Sequence, residues 1–271
     1  MDMKQKGIVL SLMLGLGLCT AWSQEPVKLT VGFEVGSGFV TGDLNPNWNV
    51  RQDVGNYNYG YGYSNSLSSE MTMAVIGIRP EISFFKGMFA VSSGLRYTRM
   101  NSTMSKGSNS KSSYFFLKDN VNTANTEYYK VKEIWEDNDY LGIPLEVTFL
   151  PFQYDQVGFY FKAGVEMNFR FNSKRDIAFL NPDMEIYQQE LFDHVGITPN
   201  VLYSTFYTSV GMRMGKKNKT KYNFELLLPS TFLTKNNSSL VVPQMYSGFK
   251  FSVQLLVSKT GISKPKTNDT Y

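Results

Sequence analysis

The strongest constraint on this chain is an alternation of apolar and polar residues, of period two, that returns eight times. Its clearest instance sets Leu141, Ile143, Leu145, Val147 and Phe149 against Gly142, Pro144, Glu146 and Thr148. Successive side chains of an extended strand point to opposite sides, so a run of this kind is a strand with one apolar and one polar face. The other runs cover residues 28–40, 72–85, 88–100, 157–170, 202–214, 221–228 and 246–258. Abundant Tyr (17), Phe (20) and Gly (22) suit strands and tight turns better than helices.

The connections supply a second pattern. Short turns are expected at residues 85–87, 151–156 and 215–220, and long connections at 41–70, 101–139, 171–201 and 229–245. Short and long links in strict alternation are the habit of transmembrane β-barrels, with tight turns on the periplasmic side and extended loops outside. An even strand number then places both termini in the periplasm.

Period two also fits a soluble barrel with an apolar inside, and volume separates the two. The apolar faces carry far more large side chains than the roughly dozen branched residues that fill an eight-stranded interior in three layers. They therefore face lipid, and the expected fold is all-β: an eight-stranded antiparallel up-and-down transmembrane β-barrel with a small helix in an extracellular loop. The polar face turns inward with charges of both signs: Glu34, Glu81, Glu146, Glu166 and Glu225 with Arg79, Arg96, Lys162, Arg170, Arg213 and Lys250. A buried charge is costly unless paired, so these residues predict a plugged, salt-bridged interior. An ion path or narrow transporter is the competing reading of the same groups.

The chain starts as an exported protein does. Lys4 and Lys6 precede an apolar run from Ile8 to Leu18, and Ala21-Trp22-Ser23 is a small-x-small cleavage pattern, so residues 1–23 read as a signal peptide. The expected barrel occupies 24–259, and 260–271 form a polar periplasmic tail. The single cysteine, Cys19, lies within the signal, so the processed chain is expected to hold no disulfide, Cys-based metal site or cofactor. Losing Asp2, Lys4 and Lys6 lowers the net charge from +4 to about +3. Lys216, Lys217, Lys219 and Lys221 read as one solvated turn, and nucleic acid is not an expected partner.

The candidates for chemistry are few. Asn181-Pro182-Asp183 and Gly196 bracket a short helix with an N-cap, a first-turn Pro and a C-terminal stop. It carries the only histidine, His194. With Ser204 it would form a lipid-ester hydrolase, but no third group orients the base, so no enzyme activity is expected. Tyr57, Tyr59, Tyr61 and Tyr63 put four phenols on one face of the first long loop, as a glycan or partner surface or as an extension of the hairpin. Tyr114-Phe115-Phe116, Tyr128-Tyr129 and Trp135 in the second loop cover the barrel mouth or meet a partner. The expected partners are outer-membrane lipid and other envelope proteins or surface glycans.

Tyr140-Leu141-Gly142-Ile143-Pro144-Leu145-Glu146-Val147, with Gly94-Leu95-Arg96-Tyr97 before it and Tyr160-Phe161-Lys162-Ala163-Gly164 after it, resembles the PorT-like outer-membrane β-barrel family. The likeness in architecture spans roughly residues 27–259. It implies a small OmpA-type barrel, and for some members a part in protein secretion across the outer membrane. It brings no catalytic residues. The chain departs from many such barrels by continuing past its last strand rather than ending on an aromatic residue.

Overall fold

A computed structural model describes residues 27–51, 67–106, 114–118, 127–216, 219–235 and 237–260. The signal segment, the Tyr57–Tyr63 ladder, Lys217 and the tail beyond Thr260 lie outside the described residues. The described residues form eleven strand segments: β1 (Val27–Leu44), β2 (Val50–Arg51), β3 (Leu67–Phe84), β4 (Phe89–Ser93), β5 (Leu95–Lys106), β6 (Phe115–Lys118), β7 (Tyr128–Tyr154), β8 (Val157–Phe179), β9 (Leu202–Met214), β10 (Lys221–Phe232) and β11 (Val241–Thr260). A 3₁₀ turn (Pro182–Tyr187) runs into one short helix, α1 (Gln188–Val195).

The antiparallel pairings close on themselves. β1 pairs with β3, β3 with β4 and β5, both of these with β7, and then β7 with β8, β8 with β9, β9 with β10 and β10 with β11. The pairing of β11 with β1 completes the circuit. Since β4 and β5 are two halves of one strand, the ring has eight strands in up-and-down order. The break between those halves falls at Gly94, where a Cβ would strike the Ile78 carbonyl and come within 3.0 Å of Arg79 Cα on the neighbouring strand. Closing the ring gives every strand of the lower tier a partner on both sides.

Three links at one end are tight and involve residues of positive φ: Phe85, Lys86 and Gly87, then Asp155, then Gly215. We call this the turn end. At the opposite, loop end the strands outrun their sequence pattern. The residues expected as a loop over 101–139 include β6 and the first twelve residues of β7, and β8 continues to Phe179 rather than ending at 170. The seventh expected strand, 221–228, continues to Phe232.

The reason is an inversion of polarity along the strands. In the lower part of β7, Leu141 to Phe149 point outward in alternation and Ile143 is 53% exposed, while Glu146 inside is fully buried. Above Tyr140 the same strand turns Ile134 inward and leaves Lys132 and Glu133 outside. β3 changes likewise, from Ile76, Ile78 and Ile82 outward to Met71 and Met73 inward. β3, β5, β7 and β8 thus rise above the ring as a sheet that is greasy inside and polar outside.

That upper tier has its own core. Met100, Met104, Phe115, Leu117, Val131, Ile134, Ile177 and Phe179 pack beneath Trp48, Leu191, Phe192 and Leu240. The Trp48 indole donates to the Ser239 carbonyl at 2.8 Å and meets Phe192 edge-on at 6.1 Å. Glu136, wholly buried, accepts from the Ser239 amide at 3.0 Å and from its hydroxyl, and the Tyr140 hydroxyl donates to the Asn237 carbonyl at 3.0 Å. These bonds pull residues 237–240 across the loop end as a lid.

Candidate functional site

The interior of the lower tier is where the ionisable groups meet. Five carboxylates, Glu34, Glu81, Glu146, Glu166 and Glu225, and five cations, Arg79, Arg96, Lys162, Arg213 and Lys250, are all buried there. Each comes from the polar face of its strand, and strand pairing sets the spacing: Glu225 lies opposite Lys250, and Gly32 opposite Arg79. The ten charges balance, so the cost of taking them out of water is offset across the set as a whole.

Their contacts form one chain. At the turn end Arg213 meets Glu81 at 3.0 Å, and Glu81 lies 3.8 Å from Arg79. Arg79 reaches Glu146 at 2.7 Å and Glu34 at 3.6 Å. Arg96 draws together Glu34 at 2.6 Å, Glu146 at 2.9 Å and Glu166. Lys162 joins Glu146 at 3.5 Å to Glu225. Lys250 places its ammonium 4.5 Å from the centroid of the Tyr207 ring, a cation–π position.

Glu146 is the hub, and neutral groups complete its shell. Besides the two arginines and Lys162, it accepts from the Ser92 hydroxyl at 3.0 Å and the Tyr207 hydroxyl at 2.5 Å. The Tyr160 hydroxyl donates to Glu225 at 3.1 Å, and Gln254 donates to Glu81 at 2.8 Å. Tyr160 and Tyr207 were not foreseen as interior residues. The signal was there, since Tyr160 shares parity with Lys162 and Gly164 and each tyrosine lies opposite a glycine, Tyr160 facing Gly211 and Tyr207 facing Gly164. The absent side chains make room for the rings: a Cβ on Gly164 would fall 2.8 Å from Tyr207 Cζ.

Arg170 departs from the expected set. It is only partly buried, it stands at a register shift where Asp139 pairs with Asn172 and Tyr140 with Arg170, and one of its Nη atoms is buried without a hydrogen-bond partner. The shift carries it out of the ladder that aligns the other ten.

The loop-end residues divide by tier. Phe115 and Tyr129 are buried in the upper core, whereas Phe116 packs edge-on with Tyr114 and Tyr128. The helix forms as its end signals dictate: the Asn181 side chain accepts from the Asp183 amide, and Gly196 closes α1 in the left-handed region at φ 64°. Leu191 and Phe192 anchor it to the upper core, with Met184 and Val195 packed alongside. His194 Nε2 lies 4.0 Å from Glu190 on the same helix, and the Ser204 amide donates to the Thr234 hydroxyl. Among the described residues no group of three or more His, Cys, Asp and Glu side chains could hold a metal ion.

No family model matches the chain, and no curated protein matches it. Among solved structures it is similar to the outer membrane protein OprG from Pseudomonas aeruginosa, at 9% identity, with 87% of this chain and 100% of that one covered and a TM-score of 0.40. It is also similar to the translocator domain of the autotransporter NalP from Neisseria meningitidis, at 10% identity, covering 93% and 97% of the two chains, with a TM-score of 0.29. The transport unit of the autotransporter AIDA-I from Escherichia coli follows at 5% identity, 85% and 90% coverage and a TM-score of 0.22. At such scores the architecture rests on the strand pairing of this chain and not on these likenesses.

Proposed function

We propose that this chain is a non-enzymatic outer-membrane β-barrel, closed to solutes, that holds a rigid upper tier above the bilayer as a structural, adhesive or secretion-accessory component. The observation that carries the reading is the polarity inversion. A strand that is greasy outside and charged inside is unstable in water, and one that is polar outside and greasy inside is unstable in lipid. Strands that carry both patterns in series suit a chain that crosses from one medium to the other.

The dimensions agree. The outward apolar stretch of β7 from Leu141 to Phe149 is nine residues, which at about 3.3 Å each and a tilt near 40° covers roughly 20–25 Å of membrane height. That matches the apolar band of about 25 Å on barrels of this class. The turn end then faces the periplasm with both chain ends, and the upper tier stands outside. Among the described residues no helix is long and apolar enough to cross a membrane.

Two barriers support closure: the ion-pair chain fills the lower interior, and the lid at 237–240 covers the upper one. The secretion-accessory role rests on the likeness of Tyr140–Val147 to the PorT-like strand. A narrow channel is the second reading, favoured by interior polar atoms without protein partners, among them those of Thr148, Asn168 and Ser209. Purified protein in planar bilayers decides between them: the closed reading expects no discrete openings, and stepwise single-channel currents would replace it with the channel.

A further inference from the structure

The outer wall of the upper tier carries a cluster of aromatic and basic side chains at its top, where β6 lies beside the start of β7. Strand alternation turns Tyr114, Phe116 and Lys118 outward on one side and Tyr128, Lys130 and Lys132 outward on the other. Pairing sets Phe116 opposite Lys130 and Lys118 opposite Tyr128, so rings and cations alternate across the two strands. Phe116 meets Tyr114 edge-on at 5.4 Å and Tyr128 edge-on at 6.3 Å, and the Lys130 ammonium lies 5.3 Å from the centroid of the Tyr114 ring. With strands about 4.8 Å apart and alternate residues about 6.6 Å apart, the six side chains cover a strip of roughly 5 by 13 Å.

Two features set this strip apart from an ordinary solvated face. The apolar side of this tier is the inner one, where Phe115, Leu117, Tyr129 and Val131 of the same two strands are buried. Three rings nonetheless stand on the water side, and Tyr128 is 42% exposed. Edge-on packing joins the edge of one ring to a face of its neighbour, so other ring faces stay open to a ligand. The lysines are the second feature. Lys118, Lys130 and Lys132 make no ion pair with a described residue. Glu127 accepts instead from the Tyr129 hydroxyl at 3.2 Å, and Glu133 follows only beyond the bulge between residues 131 and 133. Lysines alone would guard a sheet edge against pairing; that role does not account for the rings between them.

We propose that this face binds an acidic polysaccharide. The C–H groups of a sugar ring are slightly positive and stack on the negative face of an aromatic ring. Each ammonium is a compact charge for a carboxylate or sulfate along the same chain. A strip of this shape suits a repeating polymer better than a single small ion. Height excludes the lipid headgroups: Lys130 precedes Leu141 by eleven residues, which at about 3.3 Å each and a tilt near 40° lifts it roughly 25 Å above the apolar band. The inference rests on the reading that the upper tier stands in water outside the bilayer, and it names what that tier holds there.

The test is calorimetric titration of nanodisc-reconstituted protein with a galacturonate oligosaccharide and, in parallel, with a sulfated dextran oligosaccharide. The expected result is saturable binding of at least one probe, weakened about tenfold both by Lys118→Gln/Lys130→Gln and by Phe116→Ser. Affinity should be unchanged in Lys174→Gln, an exposed lysine opposite Asp137 lower on the wall. Preference between the probes identifies the acid group, and either preference supports the site. No saturable binding of either probe, equal affinity for the methyl-esterified galacturonate or for polyglutamate, or wild-type affinity in either patch variant would overturn it. Should a variant fail to refold, the wild type still decides, because the neutral ester must bind about tenfold more weakly than the acid. A nitroxide at residue 133 reports the placement of the upper tier separately: failed binding with that label in water refutes this site and leaves the outer-membrane reading standing.

Discussion

Replacing Glu146 with Gln is the most informative single perturbation of the interior. The side chain keeps its volume, so no cavity forms. What changes is that one charge is lost and an amide donor is turned toward groups that are donors themselves: Arg79 at 2.7 Å, Arg96 at 2.9 Å, Ser92 at 3.0 Å and Tyr207 at 2.5 Å. Five carboxylates against five cations become four against five. Removing one partner from a buried ion pair costs about 3–5 kcal/mol. Glu34, Glu166 and Glu225 still offset part of the excess, which favours the lower end, near 3 kcal/mol. The assay is urea unfolding from phospholipid vesicles, followed by the fluorescence of Trp48 and Trp135. Combining Glu146→Gln with Arg79→Met should recover at least about 1 kcal/mol relative to the sum of the single losses, because the two residues share one contact. A single loss below about 0.5 kcal/mol, with the double variant strictly additive, would refute the view that paired charges hold the lower interior together.

Three further outcomes follow from the geometry. Gly211→Ala places a Cβ 2.2 Å from Tyr160 Cζ, so it should destabilise the barrel by about 1–3 kcal/mol and be partly rescued by Tyr160→Leu, read by the same unfolding assay. Trp48→Ala removes the indole that ties residue 239 to α1 and should cost about 3–5 kcal/mol locally, seen as faster proteolysis of the loop end with the closed barrel retained. Lys221→Gln should stabilise the protein near neutral pH. The wild-type ammonium, lowered to about 8 in the fold, is still charged there and its burial cost is fully present. That gain should fade as pH rises from about 8 toward the ordinary lysine value near 10.4, where the wild type sheds its proton on folding; urea midpoints at the two extremes check it.

The ring was legible because the strands of its lower tier follow one rule: Leu141 through Phe149 read the same way in sequence and in structure, as do Phe159 through Phe169. Parity alone therefore placed ten of the eleven charged side chains inside. The upper tier was not legible for the same reason. Above Tyr140 the alternation persists but its meaning reverses, so that Ile134, Met100 and Met104 turn inward where the lower strand turns greasy groups outward. A reader following one sense of alternation sees the pattern stop and takes the rest for loop. The signal was nonetheless present in Ile134-Trp135-Glu136-Asp137-Asn138-Asp139-Tyr140, where acidic and amide residues occupy both faces and mark the crossing. Arg170 stands opposite the buried Tyr140 yet joins none of the ion pairs above, and no sequence rule announces the register shift beside it. The lid escaped notice because it depends on long-range bonds, Trp48 to Ser239 and Ser239 to Glu136, between segments far apart in the chain.

The central claim, that hydrocarbon surrounds the lower tier and water the upper one, is open to direct measurement along β7. The only cysteine precedes the barrel, so single cysteines at residues 133, 137, 141, 143, 145, 147 and 149 can each carry a nitroxide in vesicle-reconstituted protein. The account predicts that labels at 141 to 149 collide with dissolved oxygen and are shielded from a water-soluble nickel chelate, deepest near 145, while those at 133 and 137 show the reverse. Nickel contact at 143 and 145 equal to that at 133 would contradict it.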